Sequence, residues 1–179
     1  MSLSHTENNK PKTKKGIVIA GFAGIGKTSL AKKYSNVIDL ESSPYKYDYS
    51  STIIDDIEKV KGEKNRSLNK DFPLNYIKAI KSAIENYDIV LVWIHPEEVL
   101  PYYDKYGIDY YLCFPNKEAL FEYETRFINR GNTRDYINKV IGSYDKRYNQ
   151  FINNSHKKIL LSTGETLEDA LIRMKIKLI

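Results

Sequence analysis

A single cysteine, Cys113, occurs in 179 residues, so no disulfide can form within the chain. It sits in Tyr110-Tyr111-Leu112-Cys113-Phe114, an apolar stretch where it reads as a small buried hydrophobe rather than a reactive thiol. No apolar run is long enough to cross a membrane, and none has the form of a secretory h-region. A reducing cytoplasm is therefore the expected setting, with no membrane partner. His5 and His156 have no ligand-like neighbours, which argues against a zinc site. Internal repeats and interdomain linkers are also missing. Outside the short tract Lys12–Lys15 there is no block of like charges. The net charge of +5 then reads as lysines spread over solvated helix faces; a polyanionic partner is the competing reading.

What the chain does have is short apolar runs alternating with helical patterns, at 41% apolar and 28% charged residues. That balance suits one globular domain with a sizeable core. Residues 1–15 read as a flexible basic tail, and 16–179 as the domain. Strands are expected at 16–20, 36–40, 89–94, 108–114 and 158–162. Helices are expected at 27–34, 51–60, 74–87, 97–106, 117–129, 133–153 and 167–176. The alternation predicts a parallel sheet covered by helices. Pro73 and Pro96 suit helix first turns, Gly107 and Gly131 helix ends, and Asn116 and Thr166 N-caps. The fifteen tyrosines, including Tyr102-Tyr103, Tyr106 and Tyr110-Tyr111, are expected to serve core and half-buried packing. The long polar stretch 61–72 is the kind of loop that often carries function.

One segment has a chemical signature of its own. Gly21-Phe22-Ala23-Gly24-Ile25-Gly26-Lys27-Thr28 satisfies G-x-x-x-x-G-K-[ST], the phosphate-binding loop. Ile17–Ala20 before it suits a buried strand, and Ser29–Tyr34 after it continues as a helix. A phosphate chain needs many N–H donors converging on it without side chains in the way. Glycines permit that path, and the helix start adds its free N–H groups. Residues Gly21 to Ser29 are thus the expected cofactor-binding set. Lys27 is placed to reach the β- and γ-phosphates, and the Thr28 hydroxyl to bind Mg²⁺.

Ligands of an open parallel sheet bind beyond the carboxyl ends of its strands. After the second strand come Asp39 and Glu41; either carboxylate could order a metal-bound water or accept a proton. The third strand ends in His95, with no aspartate there; His95 is expected to be structural or an acceptor contact. Arg126 and Arg130 lie four apart on a predicted helix, and Arg134 opens the next one. Such arginines can neutralise charge on a transferred phosphoryl group. Pairing with Glu122 and Glu124 on an exposed face is the competing reading. Arg66 could clasp an acceptor phosphate.

The loop Gly21–Thr28, the strand end Asp39-Leu40-Glu41-Ser42-Ser43 and the pair Arg126/Arg130 together resemble the nucleoside monophosphate kinase family, adenylate-kinase-like P-loop proteins that include small bacterial and phage-encoded kinases. The resemblance spans roughly 16–174 in order of elements, and only the loop is specific by itself. It implies a P-loop NTPase three-layer α/β sandwich, with five parallel strands in order 2-3-1-4-5 and helices on both faces. It also implies ATP and Mg²⁺ as cofactors, a small-molecule phosphate acceptor bound around 42–72, and a lid at 126–134. The chain departs from the adenylate kinases after the third strand, where Ile94-His95-Pro96-Glu97 replaces Asp-Gly-x-Pro-Arg. Its lid is a short helical turn rather than an inserted domain. The expected activity is phosphoryl transfer to a nucleotide or nucleoside. Lys27, Arg126, Arg130 and Asp39 are the catalytic set, Thr28 and Asp39 the metal set, and Glu41, Arg66, His95 and Arg134 the acceptor set. A nucleic-acid-end kinase or nucleic-acid-binding ATPase, and a GTPase-like switch, are the alternatives; the switch lacks an Asn-Lys-x-Asp signature.

Overall fold

The computed structural model describes residues 15–48 and 66–179. Nearly all of the expected tail, the expected helix 51–60 and most of the polar stretch before Arg66 lie outside the described residues. Within them, five parallel strands form one sheet: β1 (Ile17–Gly21), β2 (Val37–Leu40), β3 (Ile89–Trp93), β4 (Tyr110–Pro115) and β5 (Lys157–Leu161). The order is β2-β3-β1-β4-β5, as the resemblance implied. β1 is central, with Gly21 level with Trp93 on one side and Cys113 on the other. The apolar runs of β1, β3 and β4 are continuous because both of their faces are covered.

The helices are α1 (Lys27–Lys33), α2 (Ser43–Lys46), α3 (Leu74–Asn86), α4 (Leu100–Lys105), α5 (Leu120–Asn129), α6 (Arg134–Gly142), α7 (Tyr144–Ile152) and α8 (Leu167–Arg173). Right-handed crossovers put α3, α4 and α7 on one face of the sheet. On the other lies α1, which packs on α8.

Several local expectations need correction. The helix expected over 133–153 is two helices. The Ser143 hydroxyl donates to the carbonyls of Lys139 (2.9 Å) and Val140 (3.1 Å), and so ends α6 where a continuous helix would use those acceptors. The helix expected from Glu97 starts at Leu100, with Pro101 in its first turn, so Pro96 lies in the turn before it. Asn116 makes no side-chain cap; a 3-10 turn, Lys117–Ala119, precedes α5, and Asn116 Oδ1 instead accepts from Thr163 Oγ1 at 3.3 Å. α2 was not anticipated. Thr166 does cap α8, through a capping box with Asp169, and Gly107 (φ 64°) and Gly131 (φ 73°) do end helices.

Cys113 is fully buried, and burial pushes its thiol up to about 12, which suits packing rather than reactivity. Tyr103 and Tyr110 are core residues and Tyr102 packs against the core, as expected. Tyr76 is the most consequential of the buried tyrosines. It stands on α3 beneath β2, and its hydroxyl donates to the Leu40 carbonyl at 2.7 Å. That bond holds α3 to the carboxyl end of β2, where the sheet's ligands are expected. Tyr76→Phe removes this donor from the half-buried Leu40 carbonyl, so stability in urea should fall by about 1 kcal/mol; an unchanged unfolding midpoint would show the bond to be idle.

Candidate functional site

The segment Phe22–Gly26 leaves β1 at the middle of the sheet and turns into α1. Gly24 (φ 79°) and Gly26 (φ 98°) hold left-handed backbone that side chains disfavour, and a Cβ on Gly24 would come within 3.1 Å of the Phe127 ring. Phe22 anchors the loop from beneath, with its ring 4.4 Å from Phe114 and 5.6 Å from Tyr144. The Ile25 carbonyl is taken by the Leu167 N–H at the start of α8 (3.1 Å). Among the described residues, the N–H groups from Ala23 to Thr28 have no protein acceptor. The loop is therefore held by its side chains and carbonyls, while its donors stay open.

Lys27 curls back over this loop. Its ammonium donates to the carbonyls of Gly21 (3.1 Å) and Phe22 (2.9 Å) and lies 5.4 Å from the Trp93 ring centre. Removal from water draws its pKa down to about 8, with the Asp39 carboxylate opposing. The Thr28 hydroxyl donates to Asp39 Oδ2 at 2.6 Å. The two residues expected to share a metal are thus in contact. Among the described residues no group of three or more His, Cys, Asp and Glu clusters together. A hard divalent cation at Thr28–Asp39 would therefore draw its remaining oxygen ligands from phosphate and water, which is how Mg²⁺ commonly binds. Ser29 is exposed on α1, and Glu41 is exposed past β2, near enough to bear on Lys27.

At the ends of β2 and β3 lies a network that sequence reasoning saw only in part. Ser42 Oγ is 2.8 Å from His95 Nε2, and His95 Nδ1 is 3.2 Å from Glu98 Oε2. Lys46 Nζ bonds both oxygens of Glu98, at 2.6 and 2.7 Å. A carboxylate can only accept, so Nδ1 carries the hydrogen and the Ser42 hydroxyl donates to Nε2. Burial, helped by the Lys46 charge, pulls His95 down to about 4, so the ring is neutral at pH 7. Ser42 lies in the strand-end segment Asp39–Ser43 but has no assigned role there, and the fold brings it to His95; Glu98, three residues beyond His95, carries no motif signal.

Arg126 is tied to the loop. It donates to the Gly24 carbonyl at 3.2 Å, bonds Glu122, and lies 4.7 Å from the Tyr123 ring centre. Glu122 in turn accepts from the Gly164 N–H after β5 at 2.7 Å. The expected pairing with Glu122 and the expected closeness to the loop are both present in one side chain. Arg130 is exposed at the end of α5, without hydrogen bond or ion pair among the described residues, and its charge reaches Lys27. Arg134 is exposed at the start of α6, and Arg66 stacks 3.7 Å from the Tyr47 ring centre. Neither touches the loop in the described contacts. Arg147 on α7, which has no motif to mark it, has its guanidinium 6.0 Å from the Trp93 ring centre and donates from Nε to Ser143 Oγ at 3.0 Å.

Fold and site thus define an α/β protein with a parallel sheet of order 2-3-1-4-5 and a glycine loop at the tip of its central strand. Comparison with protein-family models and with curated proteins finds no match to the chain.

His95 gives a pH signature. Its pKa is lower folded than unfolded, so the unfolded chain binds more protons between about pH 6.5 and 4. The stability that neutral His95 contributes should be complete above pH 6.5 and be lost as pH falls towards 4. The wild-type advantage over His95→Gln should shrink across that window, by up to about 3 kcal/mol. Parallel stability curves for the two proteins would contradict the neutral assignment.

Proposed function

We propose that the chain is a kinase that transfers a phosphoryl group from ATP to a small molecule, a nucleotide or nucleoside, with Mg²⁺. The observation that carries this reading is the run of open N–H donors from Ala23 to Thr28, set beside Lys27 and the Thr28–Asp39 pair. Donors left without protein partners need an anion or water, and a chain of phosphates supplies acceptors at the right density. The motif Gly21–Thr28 and the order of elements support a P-loop NTPase fold of the nucleoside monophosphate kinase kind.

ATP with Mg²⁺ supplies the transferable phosphoryl group and the divalent charge. The chain's residues then act as follows. Lys27 leaves its two carbonyl acceptors for the terminal phosphates. Thr28 and Asp39 would hold the metal, which would supply divalent charge beside the phosphates. Arg126 keeps the loop carbonyl of Gly24 turned away from the anion. Arg130 has no hydrogen bond or ion pair to give up among the described residues and would swing over the reacting group. Catalysis of this kind is positioning and charge neutralisation rather than covalent chemistry.

Calorimetric titration with ATP and Mg²⁺, together with the melting temperature, tests the donor site; no heat and no stabilisation would refute the reading. Lys27→Ala should reduce transfer about 10²-fold or more while changing stability by no more than about 1 kcal/mol. Retained turnover in that variant would remove the lysine from its role. Arg130→Ala should lower kcat more than it raises the donor KM, as expected for a contact made in the transition state. An unchanged kcat would leave Arg130 as a solvated side chain.

A further inference from the structure

Two adjoining cavities lie on the sheet face that α4 and α7 cover. The first, about 310 Å³, is walled by Trp93, His95 and Glu98 on one side and by Lys146, Arg147 and Gln150 on the other. The second, about 390 Å³, runs between α4 and α7 over Tyr110, Leu112 and Phe114 of β4. Ile94, Pro96, Glu97, Arg147 and Gln150 line both, so the two form one cleft. It begins at Trp93, beside the Lys27 ammonium, and ends at His156, which stacks on Tyr110 and bonds Asp104 at 2.9 Å. Its β4 floor alone covers four residue steps of extended chain, roughly 13 Å.

Resting on the kinase reading, we propose that this cleft is the acceptor site and that the acceptor is an uncharged nucleoside, with its base between α4 and α7 and its hydroxyl beside His95. The floor and inner walls are aromatic and aliphatic, and polar side chains such as Gln150, Asn154 and His156 sit at the margins. A flat heteroaromatic ring with hydrogen-bonding edges matches that distribution.

The charges favour an alcohol over a monophosphate. Glu97, Glu98 and Asp104 line the cleft against Lys146 and Arg147, and Glu98 is already neutralised by Lys46. Among the described residues that line the cleft, no surplus of cations awaits a second phosphate, and burying an unpaired dianion is costly. His95 is held neutral by its surroundings, and its hydrogen-bond polarity is fixed by Glu98. Its two ring nitrogens are taken by Glu98 and Ser42, so the atom of this uncharged pair left to accept from an alcohol is Ser42 Oγ, whose own hydrogen goes to Nε2. Arg147 lines both cavities with its guanidinium 6.0 Å from the Trp93 ring centre, and Glu97, which lines both as well, balances its charge within the cleft. In the step itself the acceptor oxygen bonds to phosphorus and the bridge bond between the β- and γ-phosphates breaks. ADP leaves, and the hydroxyl proton ends on water.

The test uses the full chain with ATP and Mg²⁺. The probes are adenosine, guanosine, cytidine, uridine and thymidine, each beside its 5′-monophosphate. Expected is phosphorylation of at least one nucleoside, with kcat/KM at least tenfold above that of its monophosphate. Gln150 is exposed on α7 and lines both cavities, so Gln150→Trp should block the cleft without unfolding the protein. It should raise the nucleoside KM at least tenfold and leave the thermal shift with ATP and Mg²⁺ in place. Turnover of monophosphates at equal or higher kcat/KM, or a nucleoside KM within twofold in the variant, would each overturn the proposal while leaving a nucleotide-binding kinase standing. Turnover of none of the probes would overturn it together with the nucleotide and nucleoside acceptors, leaving only the ATP–Mg²⁺ site. Absence of any ATP–Mg²⁺ thermal shift in the wild type would sink both.

Discussion

Everything at the tip of the sheet depends on where Phe22 goes. It is the second residue of a glycine-rich turn, a position free to project into solvent. Instead it is almost fully buried among Phe114, Tyr123 and Tyr144. The turn is thereby nailed to the core through one ring. At its base the Phe22 N–H bonds the Cys113 carbonyl at 2.9 Å; beyond that its polar backbone is secured on the carbonyl side: Phe22 O and Gly21 O by Lys27, Gly24 O by Arg126, Ile25 O by Leu167. A loop fixed in this way leaves the N–H groups from Ala23 to Thr28 unused among the described residues. Order and binding capacity, which usually compete in a loop, are separated onto two edges of the same backbone.

How much of this could be seen beforehand varied with the range of the interaction. The strands were legible because buried parallel strands are uninterrupted apolar runs, and Val18–Ala20 and Ile89–Val92 are fully buried. The glycine loop was legible because local backbone geometry demands particular residues at fixed spacing. Breaks decided by a single hydroxyl were not: Ser143 reads as an ordinary helix residue until its neighbours' carbonyls are seen to accept from it. Nor were groups assembled across the sequence. Nothing assigns Ser42 to His95 or Arg147 to Trp93 in advance, since what matters is that the end of β2 and the first turn of α7 come beside the end of β3. Asp39 and Thr28 lie between these cases. They were expected together as a metal pair, and what could not be read beforehand is the direct hydrogen bond between them.

Electrostatically, the tip is divided. Around Lys27 the charges are carboxylate on the β2 side and guanidinium on the α5 side, with the ammonium between them. A few residues away, at His95, charge is cancelled: Lys46 answers Glu98, and burial keeps the imidazole neutral. One region is poised for ions and its neighbour for uncharged groups, and Trp93 lies between them in contact with both.

The resting position of Lys27 carries a further consequence. Its ammonium already has two carbonyl partners and an aromatic neighbour. Any visitor must offer more than those carbonyls do before the side chain will turn outward. An acceptor with full negative charge meets that requirement better than a neutral one, so the resting contacts set a threshold on what can draw this side chain out.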